Sequence, residues 1–159
     1  EWDYGKWAEV VRWLDGEKGY RPVLVGSLAE REAAARIASE AGGGVVNLAG
    51  QTSLKELAAL LSLSAFHAGV DSAAPHIAAA VGTPTITIYG PTDWRDWAPE
   101  GGNHRVIRPE RDCVPCRQKG CRGEGRSECL EELKTDRVMS EIEAFARSLG
   151  QNPVAGSGT

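Results

Sequence analysis

The residues best suited to chemistry are an aspartate and a serine that follow a predicted buried strand at positions 65–70. Asp71 and Ser72 precede Ala73 and Ala74, whose small side chains let a ligand approach the start of the next predicted helix. The first amides of a helix lack intrahelical partners and lie at the positive end of its dipole, which suits a phosphate. The sequence therefore predicts an anion pocket here. Simple helix capping by the two side chains is the competing interpretation.

A layer of parallel strands is predicted to position this pocket. Short runs rich in Val, Ile and Leu alternate with helices of about a dozen residues, which is typical of right-handed βαβ units. The predicted fold is therefore α/β, a Rossmann-like parallel sheet with helices on both faces. Ligands bind such sheets at the carboxyl ends of the strands. Those ends are predicted at residues 26–27, 49–52, 71–74 and 90–92.

Helix boundaries can also be predicted from the sequence. The pairs Ser27 with Glu30 and Ser53 with Glu56 have the spacing of a capping box, so a helix is expected after each serine. The glycines at 42–44 end the first of these helices. No Gly-x-Gly-x-x-Gly motif follows the first strand, and its absence there argues against a nicotinamide cofactor. A last helix begins near residue 135, with one apolar face formed by Val138, Ile142, Phe145 and Leu149.

Composition narrows the classes of function. The chain of 159 residues fits one domain, expected over residues 1–150, followed by a loose tail at 151–159. A net charge of −4 argues against nucleic-acid binding. No apolar run is long enough for a membrane span, and no signal peptide is recognised, so a cytoplasmic location is expected. The first residue is not Met, which suggests a piece of a longer protein.

The motif at 71–80, DSAAPHIAAA, and the motif at 90–93, GPTD, resemble the donor-binding half of the ADP-heptose:lipopolysaccharide heptosyltransferases. The similarity continues upstream through 48–57, LAGQTSLKEL, and downstream into a cysteine-rich segment, covering about residues 2–149. This family, glycosyltransferase family 9, has a two-domain GT-B fold and inverts the sugar. The resemblance implies the donor half of a heptosyltransferase in lipopolysaccharide core synthesis. Two alternatives remain: a non-catalytic Rossmann-like binding or assembly module, and a glycosyltransferase for another nucleotide sugar.

The resemblance also implies what this chain lacks. In the family, the general base and the site for a lipid-linked saccharide acceptor belong to an amino-terminal domain, which is absent here. No catalytic residue is therefore expected in this chain, which alone should be inactive. On the family's register, its phosphate-binding lysine falls immediately before Glu1. No cofactor is expected to be required for catalysis.

The resemblance assigns roles in donor binding to particular residues. Asp71 would hold sugar hydroxyls, Ser72, Ala73 and Ala74 would offer donors to the diphosphate, and His76 would bond a phosphate oxygen. Glu30 would lie near the ribose and Thr52 near the adenine, while the pocket wall would comprise Gly90, Pro91 and Thr92. For His76 the alternative is a satisfied, partly buried histidine, and for Glu30 it is the capping box.

Three departures from the family pattern affect the pocket. Ala73 stands where members commonly have Gly, Pro75 removes one amide donor, and Trp94 replaces a usual Pro. Trp94 and Trp97 either cover the end of the sheet or offer a ring on which a sugar or base stacks.

Four cysteines form the remaining motif, in a loop over residues 112–129. Cys113, Cys116, Cys121 and Cys129 have a density that suits a structural zinc or an iron–sulfur cluster. Reduced or disulfide-paired cysteines that pin the loop are the alternative, and a catalytic thiol is not favoured. This region is also rich in Arg and Lys, which indicates either a solvated face or peripheral contact with an anionic membrane.

Overall fold

The computed structural model describes residues 2–150, so the predicted tail at 151–159 lies outside the described residues. The chain forms parallel strands that alternate with helices, as the sequence predicts. The strands are β1 (Val23–Leu24), β2 (Val46–Asn47), β3 (His67–Val70), β4 (Thr85–Ile88) and β5 (His104–Ile107). The helices are α1 (Tyr4–Gly16), α2 (Arg31–Ala41), α3 (Leu54–Ser62), α4 (Ala73–Ala80), α5 (Trp94–Trp97), α6 (Glu128–Glu132) and α7 (Thr135–Ser148). The α/β class is confirmed.

The strand pairing differs in one respect from a single five-stranded sheet. In the described residues, β1 pairs with β2 in one parallel sheet, and β3, β4 and β5 pair in that order in a second. The first sheet is short, with two residues in each strand, and Val23 and Val46 are partly solvent-exposed. The first sheet is therefore held by few hydrogen bonds between its strands. The second sheet is longer, and all four residues of β4 are buried.

Two helices begin as their capping boxes predict. Ser53 Oγ accepts from the amide of Glu56 at 3.3 Å, and the Glu56 carboxylate accepts from the amide of Ser53 at 2.8 Å. The second box, Ser27 with Glu30, opens a 3₁₀ turn at Leu28–Glu30 that continues into α2. Gly42 ends α2 with a φ of 70°, a conformation that glycine adopts without steric cost.

The hydrophobic core lies between the second sheet and the helices α1 and α7. Val138, Ile142 and Phe145 on α7 are at most 2% exposed and pack with Ile86, Ile88 and Ile107 from the sheet, as the apolar stripe predicts. Trp2 is buried against the same cluster, where its indole N–H donates to the carbonyl oxygen of Leu133 at 3.1 Å. No helix among residues 2–150 is long and apolar enough to cross a membrane.

The cysteine-rich loop returns from β5 across the end of the second sheet to α6. Arg111 forms ion pairs with Glu128 and Glu132 at 3.0 and 2.9 Å, which tie the start of the loop to α6. Farther along, the backbone amide of Arg117 donates to the carbonyl oxygen of Pro91 at 2.8 Å. The loop is therefore attached to the strand end from which the predicted site projects.

Candidate functional site: a helix start and an adjoining cleft

The junction of β3 and α4 holds half of the predicted site residues. The amide of Asp71 donates to the carbonyl oxygen of Ile88, at 3.3 Å, so Asp71 lies beside the end of β4. Ser72 is extended, with φ −160° and ψ −171°, and its hydroxyl makes no capping hydrogen bond to α4. The capping interpretation is therefore wrong for the Ser72 side chain, which leaves the first-turn amides of α4 without this acceptor. The Ser72 side chain is exposed to solvent.

The first turn of α4 is open rather than covered by protein. Ala73 and His76 are exposed, and Ala74 is half-buried. Pro75 is buried and has no N–H, so it contributes packing to the core and no donor to a ligand. The amides of the remaining first-turn residues make no intrahelical hydrogen bond, because the residues four positions before them lie outside the helix. This corner can hold a small anion in contact with solvent.

Tyr89, which was not singled out from the sequence, is the buried neighbour of this corner. Its side chain is 0% exposed, and its hydroxyl donates to the carbonyl oxygen of Trp97 at 3.1 Å. Burial, and secondarily the nearby carboxylate of Asp71, raise the pKa of Tyr89 to about 12. The phenol therefore stays protonated and acts as a fixed donor. Its position directly before Gly90, at the end of a strand, was the only available signal.

Glu30 and Thr52 follow the two strands of the first sheet. Glu30 ends the 3₁₀ turn after β1, and Thr52 lies in the loop between β2 and α3. The Glu30 carboxylate accepts from both the amide and the hydroxyl of Ser27 at 2.7 Å, so the capping box is present. Gly50 has a φ of 70°, and a Cβ there would lie 2.9 Å from Leu28 Cα, so the two loops are in close contact. Glu30 is exposed and Thr52 half-buried, so both remain accessible from solvent.

Of the predicted wall, only part faces solvent. Gly90 is buried, and a Cβ at this position would lie 2.8 Å from Cγ of Leu130 on α6. Pro91 and Thr92 instead line a cleft of about 320 Å³ between the loop at 91–97 and residues 117–119. Gly90 allows α6 to approach the end of β4, and Pro91 and Thr92 form one wall of the cleft.

The two tryptophans of the loop differ in environment. Trp94 is half-buried, and its ring lies beneath the guanidinium groups of Arg95 and Arg108 at 4.6 and 4.8 Å. Trp97 is 58% exposed and lines the cleft. The ring of Trp94 is thus occupied by cation–π contacts with two guanidinium groups, whereas the ring of Trp97 faces solvent.

Arg117 joins the cysteine-rich loop to the floor of the cleft. Its guanidinium donates to Oδ2 of Asp93 at 2.8 Å and to Oδ2 of Asp96 at 2.9 Å. Asp93 is 6% exposed and also accepts from the amide of Arg95 at 3.1 Å. The hydrogen bond from Arg117 lowers the pKa of Asp93, so this carboxylate is ionised at neutral pH. Sequence analysis missed this pair because its members are far apart along the chain.

The four cysteines do not form the expected metal centre. All four thiols are free, and among residues 2–150 no three His, Cys, Asp or Glu side chains are placed to hold a metal ion. Cys113 is exposed, whereas Cys129 is 3% exposed and packs in the core beside Leu130 and Leu133. Burial, and secondarily the nearby thiols led by Cys121, raise the pKa of Cys129. The spacing alone did not reveal that these thiols occupy such different environments.

The two histidines outside the motif lie away from the site. His67 begins β3 and His104 begins β5, and the sheet register pairs both with Thr85. They are therefore at the amino ends of the strands, opposite the site edge. His67 is buried, and this burial lowers its pKa to about 4.

Fold and site together define a Rossmann-like α/β domain with an open helix start at the carboxyl ends of parallel strands. A family model described as glycosyltransferase family 9 (heptosyltransferase) matches residues 1–126. The chain belongs to this family.

Individual relatives agree with the family model. The chain is 31% identical over 153 residues to lipopolysaccharide heptosyltransferase 2 of Salmonella typhimurium, covering 94% of this chain and 43% of the relative. It is 38% identical over 104 residues to lipopolysaccharide heptosyltransferase 3 of Escherichia coli K12, covering 60% of this chain and 29% of the relative. The chain therefore spans less than half the length of these relatives.

Solved structures show the same similarity in three dimensions. The E. coli ADP-heptose heptosyltransferase II matches with a TM-score of 0.73 at 30% identity, covering 93% of this chain and 42% of that one. E. coli heptosyltransferase WaaC with ADP matches with a TM-score of 0.72 at 31% identity, covering 92% and 40%. The parallel α/β architecture is thus that of solved heptosyltransferases.

Proposed function

We propose that this chain is the donor-binding half of an inverting glycosyltransferase that transfers heptose from an ADP-heptose-like nucleotide sugar during lipopolysaccharide core synthesis. The observation that carries the proposal is the solvent-open start of α4, with Asp71 beside it, in a chain that belongs to this family. Its support from relatives is that WaaC, 31% identical, has been solved with ADP and with ADP-2-deoxy-2-fluoro heptose.

In this proposal the diphosphate binds at the α4 start. The amides of Ala73 and Ala74 and the ring of His76 donate to phosphate oxygens, and the hydroxyl of Ser72 adds a further donor. Asp71 accepts from hydroxyls of the sugar. The helix dipole contributes the equivalent of roughly half a positive charge at this end. A metal ion is then not needed to neutralise the phosphates.

The nucleoside end extends toward the first sheet. Glu30 accepts from a ribose hydroxyl with the oxygen that its capping box leaves free, because Oε2 already accepts from Ser27. Thr52 contacts the adenine through its backbone. Pro91 and Thr92 limit the pocket on the sugar side, and Gly90 supports them by packing against Leu130.

The chemical role of this half is to stabilise the leaving group. As the bond between the anomeric carbon and the diphosphate breaks, negative charge increases on the phosphate oxygen next to the sugar. Donors fixed at a helix start stabilise that charge more in the transition state than in the ground state, which lowers the barrier. The general base that activates the acceptor hydroxyl, and the site for a lipid-linked saccharide acceptor, would come from the amino-terminal domain of the full-length enzyme.

Calorimetric titration with ADP tests the proposal. We expect the chain to bind ADP, and we expect Asp71→Ala and His76→Ala to weaken binding of ADP-heptose by about tenfold each, or about 1.4 kcal/mol. Asp112→Ala, an exposed aspartate in the cysteine-rich loop, is the matched control. No binding of ADP, or binding that neither variant alters, would contradict the proposal. Titration with UDP and GDP separates an adenine-specific site from a donor of another class.

A non-catalytic binding module is the second candidate. It is favoured by Pro75, which removes a first-turn donor, and by Ala73, which adds a Cβ where the phosphate would approach. This candidate predicts equal, weak responses to ADP, UDP and GDP and no effect of the Asp71 substitution. The same titrations therefore decide between the two.

For the cysteine-rich loop we propose a structural role with reduced thiols and no metal. The support is that Cys129 is packed in the core and that the Arg117 backbone holds the loop against Pro91. Elemental analysis of the purified chain is expected to find less than one zinc or iron per molecule. A stoichiometric metal that is lost with a thiol reagent would contradict this role.

We further propose a cytoplasmic location, with the full-length enzyme at the inner face of the membrane where a lipid-linked acceptor is presented. Several basic residues of the loop are already in ion pairs, including Arg111, Arg117 and Arg126, so little net positive charge remains for lipids. We therefore expect weak, salt-sensitive sedimentation with vesicles containing anionic lipid. Binding that persists in high salt would contradict an electrostatic contact.

A further inference from the structure

We propose that the cleft between the loop at 91–97 and residues 117–119 binds one uncharged, hydroxyl-rich sugar ring. The inference rests on the proposed function, because it assigns a saccharide subsite at the sugar end of the proposed nucleotide-sugar site. The cleft, of about 320 Å³, is at the lower end of the roughly 300–1,000 Å³ range of small-molecule sites. A single ring suits this size better than a whole nucleotide sugar.

The cleft offers an aromatic platform that is held in place through its backbone. Trp97 is 58% exposed, although its carbonyl oxygen is fixed by the hydroxyl of the fully buried Tyr89. An exposed tryptophan ring on an anchored backbone presents apolar area at little further entropic cost. The C–H face of a sugar ring is the complementary surface. The other tryptophan of the loop, Trp94, is already occupied by two guanidinium groups.

The polar groups of the cleft are fixed and suit hydroxyls. Arg117 holds one oxygen of Asp93 and one of Asp96, so the carboxylates are oriented before any ligand binds. The side chain of Asp96 is 54% exposed, which leaves acceptor positions open to the cleft. A carboxylate oxygen accepts from a hydroxyl, and a guanidinium donates to the adjacent hydroxyl oxygen. Neighbouring hydroxyls on one ring satisfy both.

The charge of the cleft selects against an anionic ligand. Among the residues that line the cleft, the two carboxylates are balanced in charge by Arg117 and Lys119, and Arg95 outside the lining also pairs with Asp93 at 3.4 Å. Both carboxylates would repel a phosphate, and they partly neutralise the positive charge of Arg117 that would attract it. A neutral ring meets no such penalty. The start of α4, by contrast, presents backbone amides and the positive end of the helix dipole, which favour an anion.

The position of the cleft places this ring at the sugar end of the proposed donor pocket. Pro91 and Thr92, the proposed wall of the donor pocket, also line the cleft. Tyr89 connects the two regions, since its hydroxyl bonds to Trp97 and Asp71 lies close enough to raise its pKa. The ring is therefore either the donor sugar or the nearest sugar of the acceptor, and both have the same chemistry for this subsite.

The test uses saturation-transfer difference NMR with free heptose and glucose as probes. We expect ring protons to receive saturation from the unmodified chain and from Trp97→Phe, and the signal to fall at least fivefold in Trp97→Ala. Trp94→Ala is the matched control and should keep the signal. The Tyr89 hydrogen bond uses the backbone of residue 97, so the Trp97 variants retain it. No signal from the unmodified chain, or equal signals from it and Trp97→Ala, would overturn the proposal.

Calorimetry with ADP on the same samples keeps the two proposals separable. We expect Trp97→Ala to bind ADP with the same affinity as the unmodified chain. If the unmodified chain did not bind ADP, that result would contradict the nucleotide site and not the cleft. In the full-length enzyme, a rise of about tenfold in the KM of only the acceptor assigns the ring to the acceptor. A rise for only the donor assigns it to the donor sugar. No change in either KM would overturn the subsite.

Discussion

The hydroxyl of Tyr89 donates a hydrogen bond to the carbonyl oxygen of Trp97 at 3.1 Å, which links the buried end of β4 to the loop that forms the cleft. The carboxylate of Asp71 is near enough to raise the pKa of the same hydroxyl, so this one side chain neighbours both the α4 start and the cleft. The loop at 91–97 is therefore held from below by Tyr89 and from the side by Arg117. The removal of either attachment is expected to have a measurable effect.

Tyr89→Phe should lower the free energy of unfolding by about 1 kcal/mol, because it removes one hydrogen bond and leaves the Trp97 carbonyl without this partner. Urea denaturation measures the loss. Tyr20→Phe is the matched control, since the buried hydroxyl of Tyr20 has no partner among the described residues. This control should be neutral or stabilising. Equal destabilisation by both variants would refute the role of the Tyr89 bond.

Arg117→Ala should detach the cysteine-rich loop from the cleft. The variant leaves the buried carboxylate of Asp93 without its strongest partner. We expect several-fold faster alkylation of Cys116 and weaker protection of the residue 117 amide from hydrogen exchange, whereas Arg117→Lys should be intermediate. Arg126→Ala, which breaks an exposed pair with Glu131, is the control. Identical alkylation rates in the two alanine variants would contradict this attachment.

The same pair should respond to acid. The pKa of Asp93 is lowered below its ordinary value of 3.8 by Arg117, so the stability it contributes is complete above that value and is lost as the pH falls through the lower, folded pKa. Alkylation of Cys116 should accordingly accelerate only below about pH 4, as measured with an acid-tolerant reagent. Asp93→Asn should remove this acceleration. A transition near neutral pH would be inconsistent with Asp93.

Buried His67 should make the domain less stable in mild acid. Burial lowers its pKa from 6.5 to about 4, so the unfolded chain binds a proton more readily than the folded one between these values. Stability is complete above about pH 6.5 and declines toward pH 4, by up to about 3 kcal/mol. His67→Gln should flatten this part of the profile in urea titrations at several pH values. His76→Gln supplies the control for loss of an exposed histidine, and an unchanged slope in His67→Gln would be contrary to expectation.

Gly90→Ala should destabilise the domain by about 1–3 kcal/mol through overpacking. The added Cβ would lie 2.8 to 3.0 Å from Cγ and both Cδ atoms of Leu130, so the whole isobutyl group would have to move. Gly102→Ala is the control, because a Cβ there meets no atom within 4 Å. In thermal unfolding, adding Leu130→Ala to Gly90→Ala should cost less than the sum of the two single changes. Full additivity would show that the two residues do not compete for space.

Local patterns predicted the parts of this fold that local forces determine. The capping boxes at Ser27 and Ser53 and the apolar face of α7 were predictable, because helix starts and amphipathic faces depend on residues three or four positions apart. The parallel strands followed from the alternation of apolar runs with helices. Their division into two sheets did not, because hydrogen bonding between strands depends on packing across the whole domain.

The site was partly predictable for the same reason. The motif at 71–76 placed an open helix start at a strand end, but it did not reveal that the Ser72 side chain leaves α4 uncapped. Tyr89 and Arg117 were missed because their partners come from other loops, and their roles depend on tertiary contact. The sequence showed how many cysteines there are and how closely they are spaced, but it did not show whether each thiol faces the core or solvent.

The balanced charges of the cleft lining imply that the proposed phosphate and sugar subsites respond differently to ionic strength. Ions in the buffer weaken attraction between a phosphate and a helix start, whereas they change little for a neutral ring stacked on Trp97. Raising ionic strength should therefore separate nucleotide capture from saccharide capture within one domain. A glycosyltransferase with this arrangement would hold its two kinds of substrate group through forces that can be tuned independently.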